Sequence, residues 1–116
     1  VQRAWRLRQR ADFDRLKAQG KQWRHPLLML SVLPNSLPHN RYAFIASKRL
    51  GNAVTRNRIR RRLREAVRRA ALKQGYDVVL IARDNLARQP YNRIVQTLDE
   101  LFRRANLHAE QLESGE

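Results

Sequence analysis

The sequence predicts an α+β domain, a sandwich of helices on a single sheet. The order is helix, strand, strand, helix, strand, helix, with room for one extra short strand. Three observations carry that prediction. Residues 78–82, Val-Val-Leu-Ile-Ala, are apolar without interruption, the mark of a central strand covered on both faces. Wound at about 100° per residue, residues 56–70 bring Ile59, Leu63, Ala66, Val67 and Ala70 onto one narrow stripe. Towards the C-terminus, Tyr91, Ile94, Val95, Leu98, Leu101, Phe102 and Ala105 recur at helical spacing.

Val1 to Arg10 is basic and weakly patterned, and Trp5 either packs on the domain or stacks on a base. Asp12 is placed to cap a short helix running to about Gln19, with Phe13 and Leu16 on its inner side and Gly20 to end it. Leu27 to Leu33, interrupted only by Ser31 and bounded by Pro26 and Pro34, reads as a strand. Residues 34–40 are loop. Arg41 to Ser47 forms the second strand, with Tyr42, Phe44 and Ala46 on one face, and the short loop predicts that the two strands pair antiparallel. Gly51 permits a turn. The next helix begins between Asn52 and Thr55 and runs to about Lys73, with Gly75 as its stop signal. Asp84 to Pro90 is loop or a single helical turn. Residues 1–107 thus form one domain, and 108–116, carrying three glutamates, a frayed tail.

A chain of 116 residues can bury roughly two-thirds of its unfolded surface. Its 25 lysines and arginines stand against 10 acids, a net charge of +15 and a pI near 11.7. Such a balance suits a partner that releases counterions, a nucleic acid. A membrane would also attract the charge, but no apolar run approaches the roughly 20 residues of a spanning helix, and no signal-peptide pattern is present. Without cysteine there is neither a disulfide nor a thiolate metal site. The expectation is a cytoplasmic protein with no membrane and no small-molecule substrate. The first residue is Val1 rather than Met, as expected if residues precede it.

No catalytic residue and no metal ligand set is predicted. His25, His39 and His108 are scattered without ligand spacing. The acid pairs Asp12 with Asp14 and Asp99 with Glu100 read as helix capping and solvation. Gly51-Asn52-Ala53 lacks the lysine of a phosphate loop. A protein-only nuclease needs carboxylates to hold magnesium, and no convincing cluster offers them.

The informative stretch is Ser47 to Arg69, which holds ten of the 25 basic residues and one acid, Glu65. Arg56, Arg60, Arg64 and Arg68 form a ladder beside the apolar stripe, and Arg58, Arg61, Arg62 and Arg69 fill the remaining arc. The three like-charged i,i+4 pairs in that ladder cost about 0.5–1.5 kcal/mol. A helix that served only solubility would alternate its signs. A polyanion is therefore the expected partner.

The order Gly51-Asn52-Ala53-Val54-x-Arg56-Asn57-Arg58-x-Arg60-Arg61-x-x-Arg64-Glu65, after the strand end Ser47-Lys48-Arg49, closely resembles the signature of the bacterial ribonuclease P protein subunit. Weaker similarity extends from Asp12-Phe13 to Arg83. The resemblance implies a left-handed β-α-β crossover around the arginine helix, in the fold family named after the second domain of a small-subunit ribosomal protein. It implies that the RNA subunit is the catalyst, cleaving precursor transfer RNA to leave a mature 5′ end, with magnesium held chiefly by RNA. Arg56, Asn57, Arg58, Arg60, Arg61 and Arg64 match the helix that docks on the catalytic RNA, where each guanidinium offers a planar fork to phosphate oxygens. Asn57 either meets a sugar or base edge or makes a local bond at the helix start.

The resemblance also implies a cleft for the 5′ leader of precursor tRNA between the first helix and the sheet. Phe13 matches its first aromatic, Ser47, Lys48 and Asn52 match polar positions, and Arg83 ends the adjacent strand. An extended single strand needs a stacking platform and a few cations. Two positions depart from the family pattern: Lys17 stands where a second aromatic is common, and Ser31 where many members have tyrosine. Phe13 also reads as an ordinary core residue. The alternative function is a ribosome-associated or other RNA-binding module without a role in tRNA processing. A DNA-binding reading lacks a second helix at helix-turn-helix distance.

Overall fold

The computed structural model describes residues 6–109; Trp5, with both of its alternatives, and residues 110–116 lie outside the described residues. The elements are α1 (Arg10–Gln19), β1 (Lys21–Arg24), β2 (Leu28–Pro34), β3 (Arg41–Ile45), α2 (Ala53–Arg69), β4 (Tyr76–Ala82) and α3 (Tyr91–Arg104), with short 3-10 turns at Lys48–Leu50 and Leu86–Arg88. The α+β class and the single sheet stand as expected, and β1 is the extra short strand.

The sheet order is β1-β2-β4-β3. β4 lies between β2, antiparallel to it, and β3, parallel to it. The expected β2–β3 hairpin is therefore wrong. The reason is burial. Val78, Val79, Leu80 and Ala82 are all buried, and a fully buried aliphatic side chain contributes roughly 1.5–3 kcal/mol. An edge position would expose part of that surface. β3, half-buried at four of its five residues, occupies the edge instead, and α2 makes the crossover that a parallel pair requires.

Register divides the side chains between two faces. Leu30, Leu80 and Phe44 stand in a row across β2, β4 and β3, facing the core shared with Ile59, Leu63 and Val67 of α2 and Ile94, Leu98, Leu101 and Phe102 of α3. Ser31, Val79 and Ala43 form the adjacent row and face α1, where Leu7, Leu16 and Val79 make a smaller core that Phe13 joins. The layers are α1, sheet, then α2 with α3.

Asp12 does not cap α1. The helix starts after Gln9, which makes no side-chain cap bond, and Asp12 is buried instead. It accepts from Arg15 at 3.0 Å and from Arg41 at 3.3 Å. Arg41 also donates twice to Asp77, at 2.8 Å from both Nε and Nη2, and Asn35 donates to Asp77 at 3.0 Å. A buried carboxylate is tolerable only when paired in this way. The Asp77 hydrogen bond, acting against desolvation, holds the Arg41 guanidinium above its ordinary pKa. Gly20 ends α1 by close approach rather than by an unusual φ, since a Cβ there would lie 2.5 Å from the Leu16 carbonyl oxygen.

α2 stops at Arg69, short of the expected Lys73, and Gly75 belongs to the turn into β4 rather than to the helix end. Residues 71–73 leave the helix for the chain beyond α3. The Lys73 N–H donates to the Leu107 carbonyl at 2.8 Å and the Ala109 N–H to the Ala71 carbonyl at 2.9 Å. This exchange buries Leu72 and Leu107. The first two residues of the expected tail, His108 and Ala109, are thus held against the domain. No helix among the described residues is long and apolar enough to cross a membrane.

Candidate nucleic-acid interface

The start of α2 is specified locally. Gly51 has φ 130°, a conformation that residues with a Cβ rarely adopt. Asn52 then caps the helix, its side-chain oxygen accepting from the Thr55 N–H at 2.9 Å. Ile59, Leu63, Ala66 and Val67 are buried, which turns the polar arc outward. Arg58 and Arg61 are exposed and have no partner among the described residues. Arg56 donates to the Gly51 carbonyl at 3.2 Å, and Arg60 to Asn57 at 2.6 Å. The Arg64 guanidinium lies 5.8 Å from the Phe44 ring centroid.

The ladder is not uniform. Glu65, the only acid on the helix, pairs with Arg68 and Arg69, and Arg62 leans onto the Gln89 carbonyl at 3.4 Å. Excess positive charge is therefore concentrated from Arg56 to Arg64. That half also carries the N-terminal end of the helix dipole, and the two together favour phosphate.

On the α1 side, at the end of β4, a cleft of about 400 Å³ is lined by residues that include Met29, Ser47, Arg49, Ile81 and Arg83. Ser47 and Arg83, predicted from distant parts of the chain, meet there. Phe13 lies in a neighbouring groove together with Arg64. Lys17 is exposed on the last turn of α1, and Lys48 and Asn52 are exposed before α2. None of these three lines the cleft, and the Asn52 oxygen is engaged by its cap. Asn57 is exposed and accepts from Arg60. Ser31 is buried beneath α1.

Sequence reasoning missed Arg49, which lines the cleft and pairs with Asp84 at 2.5 Å. Its place beside Lys48 in the strand-end motif was the available signal. Phe44 was missed as a partner of Arg64, because that contact joins a strand to a helix across the fold.

The described residues contain no group of three His, Asp or Glu side chains able to hold a metal ion. The buried carboxylates Asp12 and Asp77 are already engaged by Arg15 and Arg41. These residues do not fit a protein-held magnesium site.

A sheet with one helix on one face and two on the other, presenting a run of uncompensated guanidinium groups beside an open cleft, defines a nucleic-acid-binding protein. Comparison with known proteins narrows the class. The chain belongs to the ribonuclease P protein family: the model of the family Ribonuclease P matches residues 1–106. The Ribonuclease P protein component of Roseiflexus castenholzii is 41% identical over 110 residues, covering 92% of this chain and 90% of the relative. That of Herpetosiphon aurantiacus is 38% identical over 109 residues, covering 92% and 89%. The structure of the Staphylococcus aureus RNase P protein superposes with a TM-score of 0.83 at 28% identity, covering 92% of this chain and all of that one. The Thermotoga maritima protein gives 0.76 at 28% identity, covering 84% and 96%. The resemblance read from the Arg-Asn-Arg string thus extends over nearly the whole chain, and membership makes it the protein part of the ribonuclease P enzyme.

Proposed function

We propose that this chain docks on the catalytic RNA of ribonuclease P through the Arg56–Arg64 half of α2 and holds the 5′ leader of precursor tRNA on the α1 side of the sheet. RNA-catalysed endonucleolytic cleavage then leaves the mature 5′ end. The observation that carries the reading is the contrast along α2: the arginines that match the family motif are free of carboxylates, whereas Arg68 and Arg69, beyond it, share Glu65. Free planar guanidinium groups are suited to phosphate oxygens.

In the cleft, Arg83 supplies charge to the leader backbone, Ser47 a hydroxyl, and Met29 and Ile81 an apolar floor. Phe13 supplies a ring beside it. Magnesium in this reading is held chiefly by the RNA. The protein raises substrate affinity, and it works in the cytoplasm with precursor tRNA.

The test is cleavage of a precursor tRNA at low magnesium, first with the catalytic RNA alone and then with this chain added. The expected result is cleavage only, or far faster, with the protein present. Equal rates with and without it would refute the reading, as would cleavage by the protein and magnesium with no RNA subunit.

A further inference from the structure

The end of the sheet remote from the cleft carries a pocket of about 310 Å³, lined by residues that include Gln19, Lys21, Trp23, Lys73, Tyr76 and Asn106. Trp23 pairs in register with Leu30, and Tyr76 alternates with Val78 and Leu80 along β4. Both rings therefore project to the side of the sheet that α2 and α3 cover, and both pack on that core. α1 and the leader cleft lie on the other side. The two rings are only half-buried, and the rest of each lines the pocket. The volume stands at the low end of the roughly 300–1,000 Å³ of small-ligand sites, suited to one nucleotide rather than a strand.

A buried asparagine holds the pocket's walls in place. Asn40, 1% exposed, donates from Nδ2 to the Lys73 carbonyl at 2.8 Å and accepts at Oδ1 from the Tyr76 N–H at 2.8 Å. A buried amide must find partners, and these partners are the backbones of two lining residues. Lys73 is held from its other side as well, by the bond from its N–H to the Leu107 carbonyl. Asn106, with φ 57°, closes α3. Its N–H donates to the Arg103 carbonyl at 3.0 Å, and the Leu107 N–H to the Phe102 carbonyl at 2.9 Å, a Schellman cap. The end of α3 thus turns fewer bare carbonyls towards the pocket, and the Asn106 side chain is exposed.

No carboxylate is among the lining residues, and Lys21 and Lys73 pair with no acid among the described residues. Two ammonium groups alone would suit any anion. The indole and phenol rings select one that carries a flat aromatic group, since unpaired bases stack on such rings while cations meet the phosphate. Gln19 and Asn106 add amides that can both donate to and accept from a base edge.

We infer that this pocket takes one unpaired nucleotide of the catalytic RNA. Its base packs against Trp23 and Tyr76, and its phosphate lies between Lys21 and Lys73. The inference rests on the docking of α2 proposed above. The pocket shares α2's side of the sheet and adjoins the segment that follows that helix, which favours the RNA bound by α2 over the leader. The 17 residues of α2 span roughly 25 Å. The catalytic RNA is thereby held at two places, by phosphate contacts at the start of α2 and by a base beyond its end.

Trp5→Phe leaves Trp23 as the only tryptophan of the full chain. Titration with catalytic RNA should then quench the Trp23 emission, and precursor tRNA at the same concentration should not. Lys21→Gln combined with Lys73→Gln should lower the log–log salt slope of catalytic-RNA binding by about two, with an unchanged circular dichroism spectrum. Trp23→Leu keeps an apolar group on the core. It should weaken that binding about five- to 150-fold, the range of one lost base stack, and Trp23→Phe should restore most of it. Should Trp23→Leu fail to fold, the lysine pair and the emission change decide.

Arg58→Gln with Arg61→Gln is the reference for α2. If it weakens binding while the lysine pair and Trp23→Leu do not, the pocket is overturned and docking through α2 stands. If neither set weakens binding, the docking reading falls and the pocket with it. Quenching by precursor tRNA alone, or losses confined to substrates with a leader, would overturn the catalytic RNA as occupant.

Discussion

Arginine serves two purposes in this molecule, and the difference lies in what surrounds each side chain. Arg41, at the start of β3, is only 19% exposed and spends its donors on Asp77 and Asp12, joining α1 to the sheet. Arg58 and Arg61, on α2, are exposed and touch no acid among the described residues. The same guanidinium is therefore a structural tie in one place and an unspent phosphate fork in the other. Total charge cannot distinguish them. The positions of the few acids can.

The sharpest way to break this comparison is to remove the acid from the buried tie. Asp77→Ala removes two hydrogen bonds from Arg41 and leaves it with Asp12 as its acid partner, and the loss of such charge-assisted bonds costs about 1.5–3 kcal/mol of stability. Denaturant unfolding should show it, while Arg58→Gln and Arg61→Gln should stay within about 0.5 kcal/mol of the parent protein. Comparable losses at the two sites would abolish the distinction between them.

The exposed set should instead show itself in salt dependence. With about five phosphates neutralised, affinity for the catalytic RNA should fall roughly two to three decades between 50 and 200 mM salt. Replacing Arg58 and Arg61 together with Gln should lower the log–log slope by about two, with an unchanged circular dichroism spectrum. A slope equal to that of the parent would make those side chains a solvated face.

Phe13 sharpens the comparison from the side of the substrate. As a stacking platform, its replacement by Ala should weaken precursor binding by about 1–3 kcal/mol and leave mature tRNA affinity nearly untouched. As a core residue it would instead cost about 3–5 kcal/mol of stability. Its half-buried position, packed on the small α1 core and open to the groove, favours the first outcome. A large drop in melting temperature, with both affinities reduced together, would assign it to the core.

The smallest effect should come from Asn52. Its side chain is committed to capping α2, so Asn52→Ala should lower stability by about 1 kcal/mol, and Asn52→Asp should restore most of it. Leader affinity measured on the folded fraction should not change. Selective loss of leader binding would return Asn52 to the cleft.

The features legible in the sequence are those written in neighbouring residues. The period of Ile59, Leu63, Ala66 and Val67 determined both the buried face of α2 and the outward turn of its arginines, because helical geometry relates residues only three or four positions apart. The unbroken apolar run of β4 required a covered strand for a similarly local reason, the high cost of wetting either face. The family motif was legible because it is contiguous. Strand partners were not, since pairing β4 between β2 and β3 is a contest among segments tens of residues apart. The winning arrangement is the one that buries Val78, Val79 and Leu80 together. β1 offers only Trp23 as an apolar signal, and it joins the sheet because β2 needs an edge partner. Asp12 reads as a cap until Arg41 and Asp77 are brought beside it. Likewise, only the folded sheet sets Ile45 against Ile81, and so places the cleft beside the groove that Phe13 lines. Local periodicity determined what each element is; the tertiary structure decided which charges are spent and which remain free, because that depends on contacts no short stretch of sequence contains.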